Sequence, residues 1–291
     1  MSRLKSENLQ VASQHAGRIE FNGLGTHWWV ELLGRNDFPA ALSEFIQSTA
    51  SLFDDTYSRF HDETLIGQLN IHKKLVNPPQ ELIDMFTFAR KMHVATDGAF
   101  DISVGGTLQR LGYGDTKTAL SASPHFWDEM KCSNDAIIIP RDSAVDLGGF
   151  GKGWLIDKLA VLLEKRGYPH YLINGGGDIV LSASGPIELG LEYPNDPTKV
   201  IGTTKITRGA LAVSSTMKRR WNISGETQHH IIEPLKDGAT DSPIITTYVR
   251  GKTALIADTL ATVLLIRPEL KTQLEKQFSV EAILVNRDQL R

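Results

Sequence analysis

The chain has 291 residues, of which 41% are hydrophobic and 22% charged, an ordinary globular usage that excludes a disordered or fibrous protein. Its 31 Lys and Arg face 34 Asp and Glu, a formal net charge of −3, which disfavours a nucleic-acid binder working by phosphate neutralisation. The single cysteine, Cys132, excludes an intramolecular disulfide framework and a four-thiolate zinc site.

Residues 1–16 form a polar tail without the apolar segment of a signal peptide. No apolar run approaches the roughly 18–20 residues that span a bilayer, so the expectation is a soluble, cytoplasmic protein without membrane insertion. From residue 17 to 291 neither repeats nor low-complexity linkers interrupt the chain, and one domain is expected. RIEFNG and THWWVELLG read as strands. Asp37 is placed to cap a helix whose apolar positions are Phe38, Leu42, Phe45, Ile46, Leu52 and Phe53. A second helix starts near Asn77-Pro78-Pro79, carries Leu82, Met85, Phe86 and Ala89 on one face, and ends before Gly98. AIIIP and SAVDL are extended; GKGWLIDKLAVLLEKRG is a helix closed by Gly167. HYLING and DIVLSAS are strands around Gly175-Gly176-Gly177. IELGLEYP, GTTKITRG and HHIIEP are further strands, TALIADTLATVLLI is a buried helix, and EAILVN closes the chain as a strand. Strands and helices mix without strict alternation, which points to an α+β fold with mixed sheets in a single compact unit.

Five stretches carry chemistry. In VDLGGFGKGW, glycines and Lys152 lie between a strand and a helix, where backbone can approach a phosphate and a helix N-terminus offers N–H groups. Neither a Walker A loop nor G-x-G-x-x-G is present, and the plainer reading is a tight turn with Asp146 as its cap. In IADTLAT, Asp258 and Thr262 share one face of an apolar helix. A buried carboxylate needs a partner: either nearby helix N–H groups or a hard cation such as Mg²⁺, which suits oxygen ligands. In QHHIIEP, His229 and His230 point to opposite faces of a strand, so at most one faces a pocket, as general base or as a structural side chain. TDGAFDISVGG adds two aspartates at a glycine-rich turn. SSTMKRRW is either a phosphate contact or a solvated face.

Taken in order, Leu24-Gly25-Thr26, SRFHDETLIGQLN, DGAFDISVGG, VDLGGFGKGWLIDKLA, INGGGDI, AVSST, HHIIEP and ADTLAT resemble the ApbE family of FAD:protein FMN transferases, over residues 20–265. The resemblance implies Mg²⁺ held by Asp258, Thr262 and the carbonyl of Gly149. It implies flavin-nucleotide contacts at Leu24, Phe60, Ala99, Phe100, Asp101, Asp146, Lys152 and Ile231, with His230 and Lys152 as catalytic groups. The chain departs from the family pattern at Leu24, where Met is usual, at Glu233 in place of Asp, at VSST in place of ATSG, and in the turn LKDGATDSP.

The implied reaction is attack by a Ser or Thr hydroxyl of an acceptor protein on the FMN-side phosphorus of FAD, forming a phosphoester and releasing AMP. His230 would take the hydroxyl proton, Lys152 would stabilise phosphate charge, and Asp146 would orient the nucleotide. A Mg²⁺-dependent FAD pyrophosphatase and a non-catalytic FAD-binding protein are the alternatives, and AMP release with and without acceptor separates the three.

Overall fold

The computed structural model describes residues 17–114, 123, 125–223 and 225–290; the polar tail, residues 1–16, lies outside the described residues. The two expected strands, β1 (Gly17–Gly23) and β2 (Thr26–Leu32), pair as an antiparallel hairpin. Helix α1 (Ala40–Tyr57) buries Leu42, Ile46, Ala50, Phe53 and Tyr57 at helical spacing. Asp37 does not cap it: the N-cap is Pro39, and the Asp37 carboxylate is held instead by Arg35 at 3.1 Å. Leu52, expected on the apolar face, is 67% exposed.

Helix α2 (Leu65–His72), strand β3 (Lys74–Val76) and helix α3 (Gln80–Ala95) follow. α3 starts directly after Pro78-Pro79 and buries the expected face. The short helices α4 (Gly105–Arg110) and α5 (Phe126–Glu129) precede strands β4 (Lys131–Cys132) and β5 (Ala136–Ile138), and β5 pairs with both β3 and β4 in a small sheet. Helix α6 (Gly151–Lys165) ends at Gly167, whose φ of 82° is the left-handed conformation that glycine adopts without strain.

The remaining elements are β6 (Tyr171–Gly175), β7 (Asp178–Tyr193), β8 (Asp196–Ser215), β9 (Arg220–Ile223), β10 (Glu226–His229), β11 (Ile232–Glu233), β12 (Gly238–Ala239), β13 (Ile244–Gly251), α7 (Ala254–Ile266), α8 (Lys271–Phe278) and β14 (Glu281–Asn286). The expected strand HHIIEP is therefore broken at His230-Ile231. DIVLSAS and IELGLEYP, expected as separate strands, form one strand, β7, whose pairing with β8 shifts register between Ser182 and Ile187.

A seven-stranded sheet runs β1-β2-β6-β7-β8-β13-β14, with every neighbouring pair antiparallel. Alternation along each strand gives it two apolar faces. Trp28, Val30, Ile173, Val180, Ala210, Ala212 and Val249 join the apolar stripes of α1, α3, α6 and α7 in the main core. Leu172, Leu181, Leu211, Tyr248 and Val285 on the other face are covered by Leu189, Leu191 and Ile206 from the far half of the β7–β8 ribbon. The register shift bends that ribbon back over the sheet, and the Tyr248 hydroxyl fastens it by donating to the Glu192 carbonyl. No helix among the described residues is long and apolar enough to cross a membrane.

Two hairpin turns lie side by side at one end of the sheet. Leu24-Gly25 (φ 49° and 67°) joins β1 to β2, and Gly176-Gly177 (φ 69° and 104°) joins β6 to β7, both with the positive φ that two-residue hairpins favour. The Gly176 N–H donates to the His27 carbonyl at 3.0 Å, and a Cβ on Gly176 would stand 2.6 Å from Thr26 Oγ1. Only glycine fits so close an approach of the two turns.

Candidate functional site

Helices α6 and α7 cross near their N-termini. Gly153 permits the contact, since a Cβ there would lie 2.6 Å from the Ala254 carbonyl oxygen. Each helix then caps the other. Asp157 of α6 accepts the first two amides of α7, from Ala254 at 2.8 Å and Leu255 at 2.9 Å. Asp258 of α7 accepts the Gly153 amide of α6 at 3.0 Å. Asp258 does not cap its own helix, where Thr253 is the N-cap. Both carboxyls are pushed above the usual carboxylate range, first by burial; for Asp258 the nearby Asp178 adds to the rise.

Lys152 projects from the first turn of α6 between two carboxylates. Its Nζ bonds Asp178 Oδ2 and reaches Asp258 Oδ1 at 3.1 Å. Burial alone would lower its pKa, but Asp178 and Asp258 outweigh burial and raise it. Asp178, directly after the Gly176-Gly177 turn, also accepts the Val213 amide at 3.0 Å. The next residue, Ser214, meets Thr262 hydroxyl to hydroxyl at 2.9 Å. Thr262 lies one turn along α7 from Asp258, so the bonds close into a ring around the start of α6.

This ring sets two carboxyl groups at 1% and 3% side-chain exposure against one ammonium, an excess of acidic groups over basic ones. Such an excess favours a cation. The donors on offer, the Asp258 carboxylate and Thr262 hydroxyl, are oxygens, which suits Mg²⁺ rather than a soft metal. Among the described residues no group of three or more His, Cys, Asp or Glu could hold a metal. A cation here would therefore rest on few side chains and draw its other ligands from backbone, water or phosphate oxygens. Gly149, two residues ahead of α6, is pressed by Phe100, whose Cε2 would lie 3.2 Å from a Cβ at that position.

Of the first three amides of α6, expected to be free for a phosphate, two are already taken. The Gly151 amide bonds the Leu147 carbonyl at 2.8 Å, and the Gly153 amide bonds Asp258. Asp146 is likewise engaged, holding the Gly148 amide at 2.6 Å on one oxygen and the Arg59 Nε on the other. Arg59 also donates to the Tyr113 carbonyl at 2.8 Å and lies over the Phe60 ring at 4.3 Å. Phe60 itself is 48% exposed, as a ligand contact would be. Ala99 and Phe100 are buried, so what they can offer a ligand is chiefly backbone. The Asp101 carboxylate accepts from the Ser103 amide at 2.7 Å and the Trp127 indole at 3.0 Å, with His93 Nδ1 at 3.1 Å. Leu24 sits at the hairpin tip with positive φ, a strained conformation for a non-glycine residue. The Ile231 side chain is buried against Ile244, Leu265 and Ile266.

His230 lies at the break between β10 and β11, in a flank built from aromatic rings. Tyr113 stacks on Trp221 at 5.1 Å and faces His230 at 6.3 Å. The Trp221 indole donates to the Leu111 carbonyl at 2.6 Å, and Arg219 donates to the Tyr113 hydroxyl at 3.1 Å. His230 touches protein weakly, with Nδ1 3.5 Å from the Arg219 carbonyl. Burial, then the Arg219 charge, lowers its pKa to about 4, and Lys152 adds to the drop. His229 is committed to structure: its Nε2 meets the Thr240 carbonyl at 3.1 Å, and its Nδ1 accepts the Ile231 amide at 3.3 Å. Below this flank Glu233 pairs with Lys236 at 3.1 Å. The turn that follows is held to α4 by Arg110, which reaches Asp237 at 2.7 Å.

Sequence reasoning missed Asp157, Asp178, Arg59, Tyr113 and Trp221. Asp178 lies inside the NGGGD turn, Trp221 at the end of the basic stretch, Arg59 in SRFHDETLIGQLN and Asp157 in VDLGGFGKGWLIDKLA, but nothing local marks their partners; Tyr113 lies outside all of these stretches.

The ApbE family matches this chain over residues 24–284. The FAD:protein FMN transferase of Salmonella typhimurium is 26% identical over 286 residues, covering 90% of this chain and 82% of its own length. Its counterpart in Escherichia coli K12 is 25% identical over 285 residues, covering 88% and 81%. The crystal structure of the ApbE protein of Thermotoga maritima superposes with a TM-score of 0.83 at 19% identity, covering 94% of this chain and 95% of that one. The flavin transferase ApbE of Vibrio cholerae superposes with a TM-score of 0.73 at 17% identity, covering 93% and 94%. At these identities the structural likeness establishes the fold.

Proposed function

This chain belongs to the ApbE family, and from that premise we propose that it transfers FMN from FAD to a Ser or Thr hydroxyl of an acceptor protein. The observation that carries the reading is the buried centre of Lys152, Asp178 and Asp258 with Thr262 beside it, next to a histidine whose ring is held neutral. That is the equipment for displacement at a phosphorus: buried charge control and a proton acceptor.

The hydroxyl oxygen of the acceptor forms a bond to the FMN-side phosphorus, and the pyrophosphate P–O bond breaks to release AMP. His230 accepts the hydroxyl proton at Nε2, which has no hydrogen-bond partner among the described residues. With its pKa lowered to about 4 the ring is neutral at pH 7, so its Nε2 lone pair is unprotonated when the hydroxyl arrives. Lys152 neutralises phosphate charge. Asp146, fixed by Arg59 and the Gly148 amide, orients the nucleotide beside Phe60 and Asp101. Asp258, Thr262 and the Gly149 carbonyl would hold Mg²⁺. When bound, Mg²⁺ would supply charge neutralisation at the pyrophosphate.

The test is incubation with FAD and Mg²⁺, with and without a Thr-containing acceptor peptide, read by mass spectrometry and AMP release. The expected result is a peptide heavier by one FMN, with matching AMP, and no AMP without peptide. AMP released equally without peptide identifies a pyrophosphatase. Tight FAD binding with no AMP in either arm identifies a binding protein.

A further inference from the structure

The two helices that carry the charge centre are locked by an exchange of carboxylates, and only one of the two carboxylates belongs to that centre. We propose that the other, Asp157, is a positioning residue: it sets the seat of Asp258 and Thr262 against Lys152, and through that the protein's grip on a divalent cation. The inference rests on the transferase reading above for the identity of the cation, Mg²⁺.

Asp157 stands outside the ring of bonds around Lys152. It accepts the amides of Ala254 and Leu255, and so fixes where the axis of α7 begins relative to α6. Asp258 follows one turn later and Thr262 one turn beyond that, so both side chains inherit their placement from this anchor. Thr253, the residue that would otherwise secure α7, holds the Ile256 amide at only 3.4 Å. Gly153 brings the helices so close that a Cβ would overlap Ala254 and Leu255. At that separation a small slide of α7 is not absorbed by side-chain rotation; it moves Asp258 away from Lys152 and the Gly153 amide. Burial makes Asp157 costly to keep as a carboxylate, since the group is pushed upward in pKa. A residue whose task was only to close a helix could be an exposed Ser or Thr.

Asp157→Asn keeps the shape but presents one acceptor and one donor to two amides. Mg²⁺ is titrated calorimetrically into the FAD-saturated variant without acceptor, and FAD is titrated separately without metal. The expected result is Mg²⁺ binding about tenfold weaker, FAD binding within twofold of wild type, and the larger Mg²⁺ loss in Asp157→Ala. Leu42→Ala in α1 serves as a destabilised control and should leave the Mg²⁺ affinity unchanged. If Asp157→Asn is too unstable to purify, Gly153→Ala tests the same geometry by forcing the helices apart, with the same split expected. Unchanged Mg²⁺ affinity in Asp157→Asn, or an equal loss in Leu42→Ala, overturns the inference. Wild-type protein that binds FAD but no Mg²⁺ overturns it as well, by removing the metal reading on which it rests.

Discussion

The two halves of the site are held in opposite ways. At the α6–α7 crossing the functional side chains are bonded and the two carboxylates are buried: Lys152 to two carboxylates, Asp258 to Lys152 and the Gly153 amide, Thr262 to Ser214. Across from it, His230 makes one hydrogen-bond contact of 3.5 Å, faces the Tyr113 ring, and feels the Arg219 and Lys152 charges without pairing with an acid. A cation and a pyrophosphate need fixed charges in fixed places, because electrostatic stabilisation is strongest when nothing must reorganise. A proton acceptor must meet a hydroxyl that arrives on another protein, so it gains from a free nitrogen and an open side. The contrast teaches that the first half is sensitive to charge balance and the second to the identity of one ring.

The largest effect is expected on the loose side. His230→Ala should lower turnover about 10²–10⁴-fold, the usual worth of a general base, while FAD affinity stays within a few-fold. His229→Ala should cost far less turnover, because its two nitrogens serve Thr240 and Ile231. Single-turnover kinetics and FAD titration on both variants would check this, and a dead His229→Ala with a normal His230→Ala would exchange their roles.

On the fixed side the prediction concerns stability. Lys152→Met leaves Asp178 and Asp258 buried without a counter-charge, and should cost about 3–5 kcal/mol, the range for breaking a buried pair. Asp258→Asn should cost much less, since one ammonium then balances one carboxylate. Urea midpoints for the two variants decide the order; a larger loss in Asp258→Asn would mean that the Gly153 cap, not charge, dominates the crossing.

A smaller effect appears with pH. His230 is held near 4 in the folded chain, against about 6.5 unfolded. Below pH 6.5 the unfolded chain takes up a proton that the folded chain does not, so stability should fall between pH 6.5 and 4 and level off below. His230→Gln should flatten that stretch of the melting-temperature profile. Smallest of all, Tyr113→Phe removes the bond from Arg219 but keeps the stack on Trp221, and should cost about 0.5–1.5 kcal/mol with turnover nearly unchanged.

The same contrast governs what the sequence made legible. Asp258 and Thr262 stood out because polar residues one turn apart on an apolar helix need an explanation, and Lys152 because glycines isolate it. Strands β1 and β2, helices α3, α6 and α7, and strand β14 were readable from periodicity, Pro and Gly. Asp37 misled, because the first polar residue before a helical pattern resembles a cap, and only the fold shows Arg35 beside it. Asp157 was invisible for a deeper reason: it caps a helix 97 residues away, and no local pattern records that. Arg59, Tyr113 and Trp221 meet only through the folded chain, Arg59 with Tyr113 across 54 residues and Tyr113 with Trp221 across 108. HHIIEP looked like an unbroken strand because its residues favour one; the break at His230 is what turns that ring out of the ladder.

Reciprocal capping also sets a timetable for synthesis. Asp157 leaves the ribosome before the Ala254 and Leu255 amides it will hold, and Gly153 leaves 105 residues before Asp258. At about 5–20 residues per second, that is a wait of roughly 5–20 s. During that interval the start of α6 lacks its cap and Lys152 lacks one of its two carboxylates. The centre is therefore among the last parts of the molecule to be completed, and no nascent fragment ending before Asp258 can possess it. A chain that ends before Asp258 keeps the Lys152–Asp178 pair but lacks the second carboxylate, and it also lacks most of the buried face that α7 adds to the main core, so chemistry and shape are completed together.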